Sequence, residues 1–305
     1  MDAFGLEDVT CEPVHQFVNE VVAVSSAAGR RYALKLYREG LRSEAEIRWE
    51  VDLLGHLVAH GAPVVAPISG REGVVQHLEV GDAPRLAVLV EWAPGAKPQP
   101  NPATYRLLGR AAASIHAAAD SFASDLPREA QTLEVLIDRP LRQLRPLLQR
   151  VGRWKAVEAL AQRLGRHIAE LPLDWGICHN DLTLDNVHRN GETLTVFDLD
   201  SAAPGWRAAE GQGVFSWSVR SRPELWRSWL AGYREVRDMD SVAEASAPWF
   251  AVVSELGNTA WKLGLTPTSV GPLMAIADLA AVADGWLAWE QQQLVPRRDP
   301  KSSAT

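Results

Sequence analysis

Cysteine is scarce: Cys11 and Cys178 are the only two in 305 residues. A disulfide framework is excluded, and a reducing compartment, the cytoplasm, is expected. Long apolar runs are missing too. The longest apolar region, residues 270–289, is broken by Asp278, Asp284 and two glycines, so no membrane span and no membrane partner are expected. Residues 1–13 are acidic and hold no apolar stretch, which argues against a secretory leader. There is no internal repeat, no G-x-x-x-x-G-K-[ST] loop, no G-x-S-x-G elbow and no zinc-type cysteine pairing. Positive charge is in deficit. The formal net charge is −7, the opposite of a nucleic-acid binder's basic face, and it suits a cationic small substrate. Only five residues are lysines.

What the chain does have is concentrated near its middle. His179-Asn180-Asp181 is followed by Asn186, five residues after Asp181, and then by Phe197-Asp198-Leu199-Asp200. Between them lies a readable hairpin. Val187-His188-Arg189 is a short strand, Asn190-Gly191 offers the turn, and residues 194–199 return as a second apolar strand. A carboxylate, an amide and a second carboxylate on the flanks of a rigid hairpin form a preorganised set of oxygen donors. Taken alone, Asp181 and Asn186 would read as turn formers. With His179, the hairpin and Asp198 in register, they read as the catalytic loop of a phosphoryl-transfer enzyme.

These residues resemble the aminoglycoside phosphotransferase family, small-molecule kinases that share the protein-kinase fold. The family pattern is His-Gly-Asp-x-x-x-x-Asn with Ile-Asp-Phe. Here Asn180 stands for the Gly and Leu199 for the Phe. The resemblance implies an α+β, bilobal, protein-kinase-like fold with a small β-rich N-lobe over 1–93. A larger, mostly helical C-lobe over 94–297 would carry the acceptor site, with a disordered tail at 298–305. It implies ATP and Mg2+ as cofactors. Asp181 becomes the catalytic carboxylate that orients the acceptor hydroxyl and takes its proton. Asn186 and Asp198 become the metal ligands, and His179 supports the loop by hydrogen bonding.

The N-terminal third fits. Residues 17–25 and 31–37 read as a hairpin turning at 27–30, with Tyr32, Leu34 and Leu36 alternating against Ala33, Lys35 and Tyr37. The hairpin resembles the kinase nucleotide flap but lacks G-x-G-x-x-G; the Asn19 region is its candidate nucleotide contact. Ala33-Leu34-Lys35 resembles the strand whose Lys pairs with the α/β-phosphates. A helix follows at once, with Ser43 and Glu46 as a capping box and Ile47, Val51, Leu54, Leu57 and Val58 as its stripe. Glu50 lies on the inner edge of that stripe and is the candidate partner of Lys35, with Glu46 as the other choice. His56 and His60 read as ordinary helix-end residues. Val74 to Glu79 and Leu86 to Glu91 read as strands joined by a turn at 81–84. Residues 90–95 resemble the hinge whose main chain binds the adenine edge, which makes Val90 and Trp92 candidate nucleotide contacts.

The rest reads helical. His116 is expected to pack or cap. Residues 139–166 read as two amphipathic helices with solvated basic faces. Ala203 to Arg207 is expected to open a further helical region. There Glu210 occupies the place of a family Asp that braces the catalytic loop. Three more helices are expected at 222–236, 242–264 and 269–293, with Glu255, Asn258, Trp261 and Lys262 as candidate acceptor contacts. Asp185 and Asp200 are spare carboxylates for metal or substrate.

The function expected is transfer of the γ-phosphoryl of MgATP to a hydroxyl of a small molecule, foremost an aminoglycoside-like or other antibiotic, by a monomer or homodimer. A metabolic kinase acting on homoserine, choline, a sugar or a protein Ser/Thr shares every catalytic residue. A catalytically silent nucleotide-binding module is the reading from another class.

Overall fold

The computed structural model describes residues 1–81, 83–215 and 222–294. Asp82, in the expected turn at 81–84, and the tail at 298–305 lie outside the described residues. The chain forms two compact units. One joins Met1–Thr132 to Pro172–Ala251, and the other joins Leu133–Leu171 to the described residues from Val252. The expected division at residue 93 falls inside the first unit.

The first unit opens with an antiparallel sheet of β1 (Val9–Gln16), β2 (Glu20–Ser26), β3 (Arg31–Leu36), β4 (Pro67–Ile68), β5 (Val75–Val80) and β6 (Ala83–Glu91). The spatial order is β1-β2-β3-β6-β4, and β5 also pairs with β6. In β3 the alternation holds: Tyr32, Leu34 and Leu36 are buried on one face, and Lys35 lies on the other. The sheet has two strands more than the four the sequence pattern suggests, the short β4 and the edge strand β1. β1 runs Val-Thr-Cys-Glu-Pro-Val-His-Gln, almost wholly exposed, with Pro13 at a register shift. An exposed edge strand shows no burial alternation, and proline is tolerated only there or at bulges. The expected hairpin of 17–25 and 31–37 is β2–β3, and Asn19 lies at the tip of a second hairpin, β1–β2, that the sequence pattern did not show.

Helix α1 (Glu44–Ala59) begins at the expected box. Ser43 Oγ accepts from Glu46 N at 3.3 Å, and Glu46 Oε2 accepts from Ser43 N at 2.9 Å. Such a cap contributes about 1 kcal/mol. Helix α2 (Pro102–Ala119) is capped by Asn101. The second unit holds α3 (Arg139–Arg150) and α4 (Trp154–Glu170), which bury Leu144, Leu148, Leu160 and Leu164 and leave their arginines outward, as the basic pattern indicated. Helices α5 (Pro223–Arg234), α6 (Ser241–Lys262) and α7 (Leu279–Leu294) follow. The last begins ten residues later than expected, because Gly271 at φ +117° and Pro272 do not continue a helix.

Helices α2 and α5 meet at two glycines. A Cβ on Gly109 would stand 1.9 Å from Trp229 O, and one on Gly232 would stand 1.9 Å from Arg106 O. Only glycine permits that approach, and it brings His116 of α2 to Tyr233 of α5. Among the described residues no helix is long and apolar enough to cross a membrane.

Candidate active site

The central motif is tied at both ends. β7 (Trp175–Cys178) leads into it, and β10 (Ala203–Trp206) leaves it and pairs back on β7, Cys178 opposite Ala203 and Trp175 opposite Trp206. Residues 203–206 are thus a strand, not the start of a helix: their ladder to β7 fixes them, and the expected helical region begins only at Arg207, as a 3-10 helix over Arg207–Phe215. At the far end, β8 (Val187–Asn190) and β9 (Thr193–Val196) form the hairpin. Asn190 pairs with Thr193, so the two turn residues are Gly191 and Glu192, one place later than expected, with Gly191 at φ +60°. The return strand stops at Val196, because Asp198 takes φ +61° and Leu199–Ser201 make a single tight turn.

Two non-glycine residues here hold left-handed backbone, Asn180 at φ +63° and Asp198. That conformation costs on the order of 1–3 kcal/mol and persists where the surroundings impose it. It explains the Asn180 substitution, since asparagine is the next residue after glycine to accept it. Asn180 Nδ2 also reaches Ser201 O at 3.1 Å, a tie glycine lacks.

The loop is braced from beneath. Glu210, buried at 4% exposure, accepts from His179 N at 2.6 Å, from Asn180 N at 3.0 Å and from His116 Nε2 at 3.1 Å. His116 Nδ1 in turn lies 2.9 Å from Tyr233 OH. Burial works against the Glu210 charge, but the His116 hydrogen bond and the His179 contacts outweigh it and hold the carboxyl below the usual glutamate range. His116, expected only to pack or cap, is a member of this chain.

His179 Nδ1 accepts from Asp181 N at 3.3 Å, so Nε2 carries the proton and donates to Phe197 O at 3.1 Å. Both nitrogens serve the loop, as a support and not as a base. Asn186 Nδ2 donates to Asp181 O and to Asp181 Oδ2, each at 2.8 Å, which turns its amide oxygen away from Asp181. Phe197 N donates to Asn186 O at 3.0 Å, bringing Asn186 and Asp198 to one place. Partial burial pushes the Asp181 carboxyl above its usual range, against His179 and the Asn186 hydrogen bond.

Lys35 joins this group. Its Nζ is 3.0 Å from Asp198 Oδ1 and 3.1 Å from Glu50 Oε1. Burial alone would lower its pKa, but Asp198 and then Glu50 overcome that, and it is raised well above the ordinary lysine value. Lys35 in return holds Asp198 below the usual aspartate range. Burial pushes Glu50 upward, opposed by Lys35. Glu46, the other choice, is occupied by the cap and by Arg42, at 3.4 Å.

The spare carboxylates have partners. Asp185 pairs with Lys97 on the surface. Asp200 Oδ2 accepts from Asn19 Nδ2 at 3.1 Å, and Oδ1 lies 3.6 Å from Arg42 Nε and 3.8 Å from Lys35 Nζ. Val90 pairs with Ala33 and Pro67 inside the sheet. Trp92 N donates to Arg31 O at 3.2 Å, so that amide is already engaged, and its ring lies 4.1 Å under the Arg31 guanidinium. Of the candidate acceptor contacts on α6, Trp261 Nε1 donates to Thr268 O at 3.2 Å and Asn258 Nδ2 to Ser254 Oγ at 3.3 Å.

Comparison with known proteins gives matches over most of the chain. The model of the phosphotransferase enzyme family matches residues 10–245. A protein of Deinococcus radiodurans without assigned function is 33% identical over 87% of this chain and 79% of its own. The homoserine kinase of Methylobacterium radiotolerans is 28% identical over 71% of this chain and 68% of its own. Among solved structures, an amicoumacin kinase in complex with AMP-PNP and Ca2+ superposes with a TM-score of 0.72 at 19% identity, over 93% of this chain and 88% of that one.

Proposed function

This chain belongs to the phosphotransferase enzyme family and has its protein-kinase-like α+β fold, a β-rich N-terminal region followed by a helical part; on that premise we propose that it transfers the γ-phosphoryl of MgATP to the hydroxyl of a small, amine-bearing alcohol. The observation that carries this reading is the convergence of Asp181, Asn186 and Asp198 with the Lys35–Glu50 pair.

The donor set suits a hard divalent cation. The Asn186 amide oxygen and the Asp198 carboxylate, 46% exposed, are oxygen ligands of the kind Mg2+ takes. Carboxylates also outnumber cations here: Glu46, Glu50, Asp181, Asp198 and Asp200 stand against Lys35, Arg42 and Arg128. When bound, Mg2+ neutralises charge across the β- and γ-phosphates. Lys35, oriented by Glu50, is placed to hold the α/β-phosphates. Asp181 orients the acceptor hydroxyl and takes its proton as the new P–O bond forms and the bond from the γ-phosphorus to the β–γ bridging oxygen breaks, releasing ADP. A carboxyl raised by its surroundings is the better base. The nucleotide assignment is supported by the AMP-PNP complex of the amicoumacin kinase.

The acceptor class follows from the relatives and the charge. Homoserine, the acceptor named for the Methylobacterium relative, is a zwitterion that carries an ammonium and a carboxylate as well as its hydroxyl, and the excess of carboxylates in the site favours an acceptor's ammonium. Antibiotic acceptors, the first expectation from sequence, are the second reading, supported by the amicoumacin kinase. ADP release with Mg2+ should be followed against separate pools of homoserine and related amino alcohols, choline, aminoglycosides, sugars and a protein substrate. Release driven by the amino-alcohol pool supports the reading. Release driven only by sugars or protein would replace its acceptor class, and no nucleotide binding at all would overturn it.

A further inference from the structure

Four consecutive carbonyls follow the turn at Asp198, and side chains from three places hold them. Arg42 Nη2, at 3.1 Å, and Arg128 Nη2 both donate to Asp200 O. Asn180 Nδ2 donates to Ser201 O at 3.1 Å and faces Ala203 O at 3.4 Å. Arg128 Nε donates to Ala202 O at 2.5 Å. This collar begins two residues after Asp198, whose φ of +61° is a backbone that needs to be held.

Arg42 and Asn180 belong to segments already assigned, one leading into α1 and the other inside the catalytic loop. Arg128 belongs to neither. It comes from the irregular chain after α2, outside every motif. Its guanidinium also lies over the ring of Trp49, 5.0 Å from the centroid, and Trp49 directly precedes Glu50 on α1. Arg128 therefore touches both elements that present a carboxylate to Lys35. A guanidinium suits that position, because one edge of its planar fork holds two carbonyls while its face rests on an indole. An ammonium has neither edge nor face.

We propose that Arg128 is a positioning residue for the metal-binding segment: it fixes the Asp200 and Ala202 carbonyls against α1 and so sets where Asp198 stands relative to Lys35, Glu50 and a bound divalent cation. The inference rests on the MgATP reading of the site. Arg128 acts through the backbone that follows Asp198 and through its seat on Trp49, not by touching the metal or the nucleotide.

The test compares AMP-PNP affinity by calorimetry, with and without Mg2+, in the wild type, Arg128→Gln and Arg128→Lys, alongside melting temperatures. The wild type should bind more tightly with Mg2+; absence of that gain would overturn the MgATP reading and this inference with it. Given the gain, Arg128→Gln should need about 10-fold more Mg2+ for half of it, while Mg2+-free affinity stays within about twofold. Arg128→Lys should fall between, since an ammonium reaches one carbonyl. A purely structural role would lower the melting temperature and the binding-competent fraction, yet leave the Mg2+ midpoint alone. A parental midpoint in folded Arg128→Gln overturns the inference. If that variant does not fold, Arg128→Lys decides: a shift of about threefold or more supports the role and a parental midpoint overturns it.

Discussion

At the scale of single residues, the carboxylates divide by what surrounds them. Asp198 is half exposed and held by Lys35 on one oxygen. Asp198→Ala should therefore lose most of the Mg2+-dependent gain in nucleotide affinity, by a factor of about 10–100, while Mg2+-free binding changes little; calorimetry reads both. Glu210 is the opposite case, buried and engaged by His179, Asn180 and His116. Its carboxyl is held below the ordinary range, so its charge stabilises the fold above the unfolded value, near 4.3, and that stabilisation is lost as pH falls through the folded value. Glu210→Gln should melt lower than the wild type at neutral pH and approach it as the pH drops below about 4.3. Melting curves that stay parallel across pH would show that the charge contributes nothing there. The two cysteines give a simpler check. Cys11 is exposed on β1, whereas Cys178 is fully buried and burial pushes its thiol up. One thiol should label quickly in the native protein and the second only on unfolding.

At the scale of elements, the tightest junction is the crossing of α2 and α5. Gly109→Ala would place a methyl 1.9 Å from Trp229 O, and the helices would have to part. Overpacking of this kind costs about 1–3 kcal/mol, so the melting temperature should fall by about 5 °C, and because His116 rides on α2 the activity should fall with it. An unchanged melting temperature would mean the helices separate at no cost. The elements also show what a sequence reveals. Lys35, Glu50, Asp181, Asn186 and Asp198 were readable because each sits in a local signal: an alternating strand, an amphipathic helix, a fixed loop spacing. β1 was not, since an exposed edge strand carries no alternation and Pro13 argues against pairing. The start of α7 was overrun because apolar content near 270 masked the break at Gly271 and Pro272. Arg128 had no signal at all: its meaning comes from carbonyls more than seventy positions away, and a contact between a side chain and a distant main chain leaves no residue pattern.

At the scale of the whole molecule, the strand-to-helix order, the family match over residues 10–245 and the homoserine kinase relative at 28% identity agree on a phosphotransferase. The same scale explains why the acceptor was the least readable part. Phosphoryl transfer asks for the same few groups whatever hydroxyl is used, whereas acceptor choice depends on surfaces no short motif encodes. On the proposed function, Asp181 and its neighbours move a phosphoryl group. The most direct measurement follows label from γ-32P-ATP into the acceptor pools in the wild type and in Asp181→Asn, with ATP binding measured beside it. The wild type should place label in a hydroxylated small molecule, and the variant should transfer about 100-fold less or lower still, with ATP affinity unchanged within about twofold. Equal transfer by the two proteins, or label that never leaves ATP although MgATP binds and every pool is present, would contradict that claim.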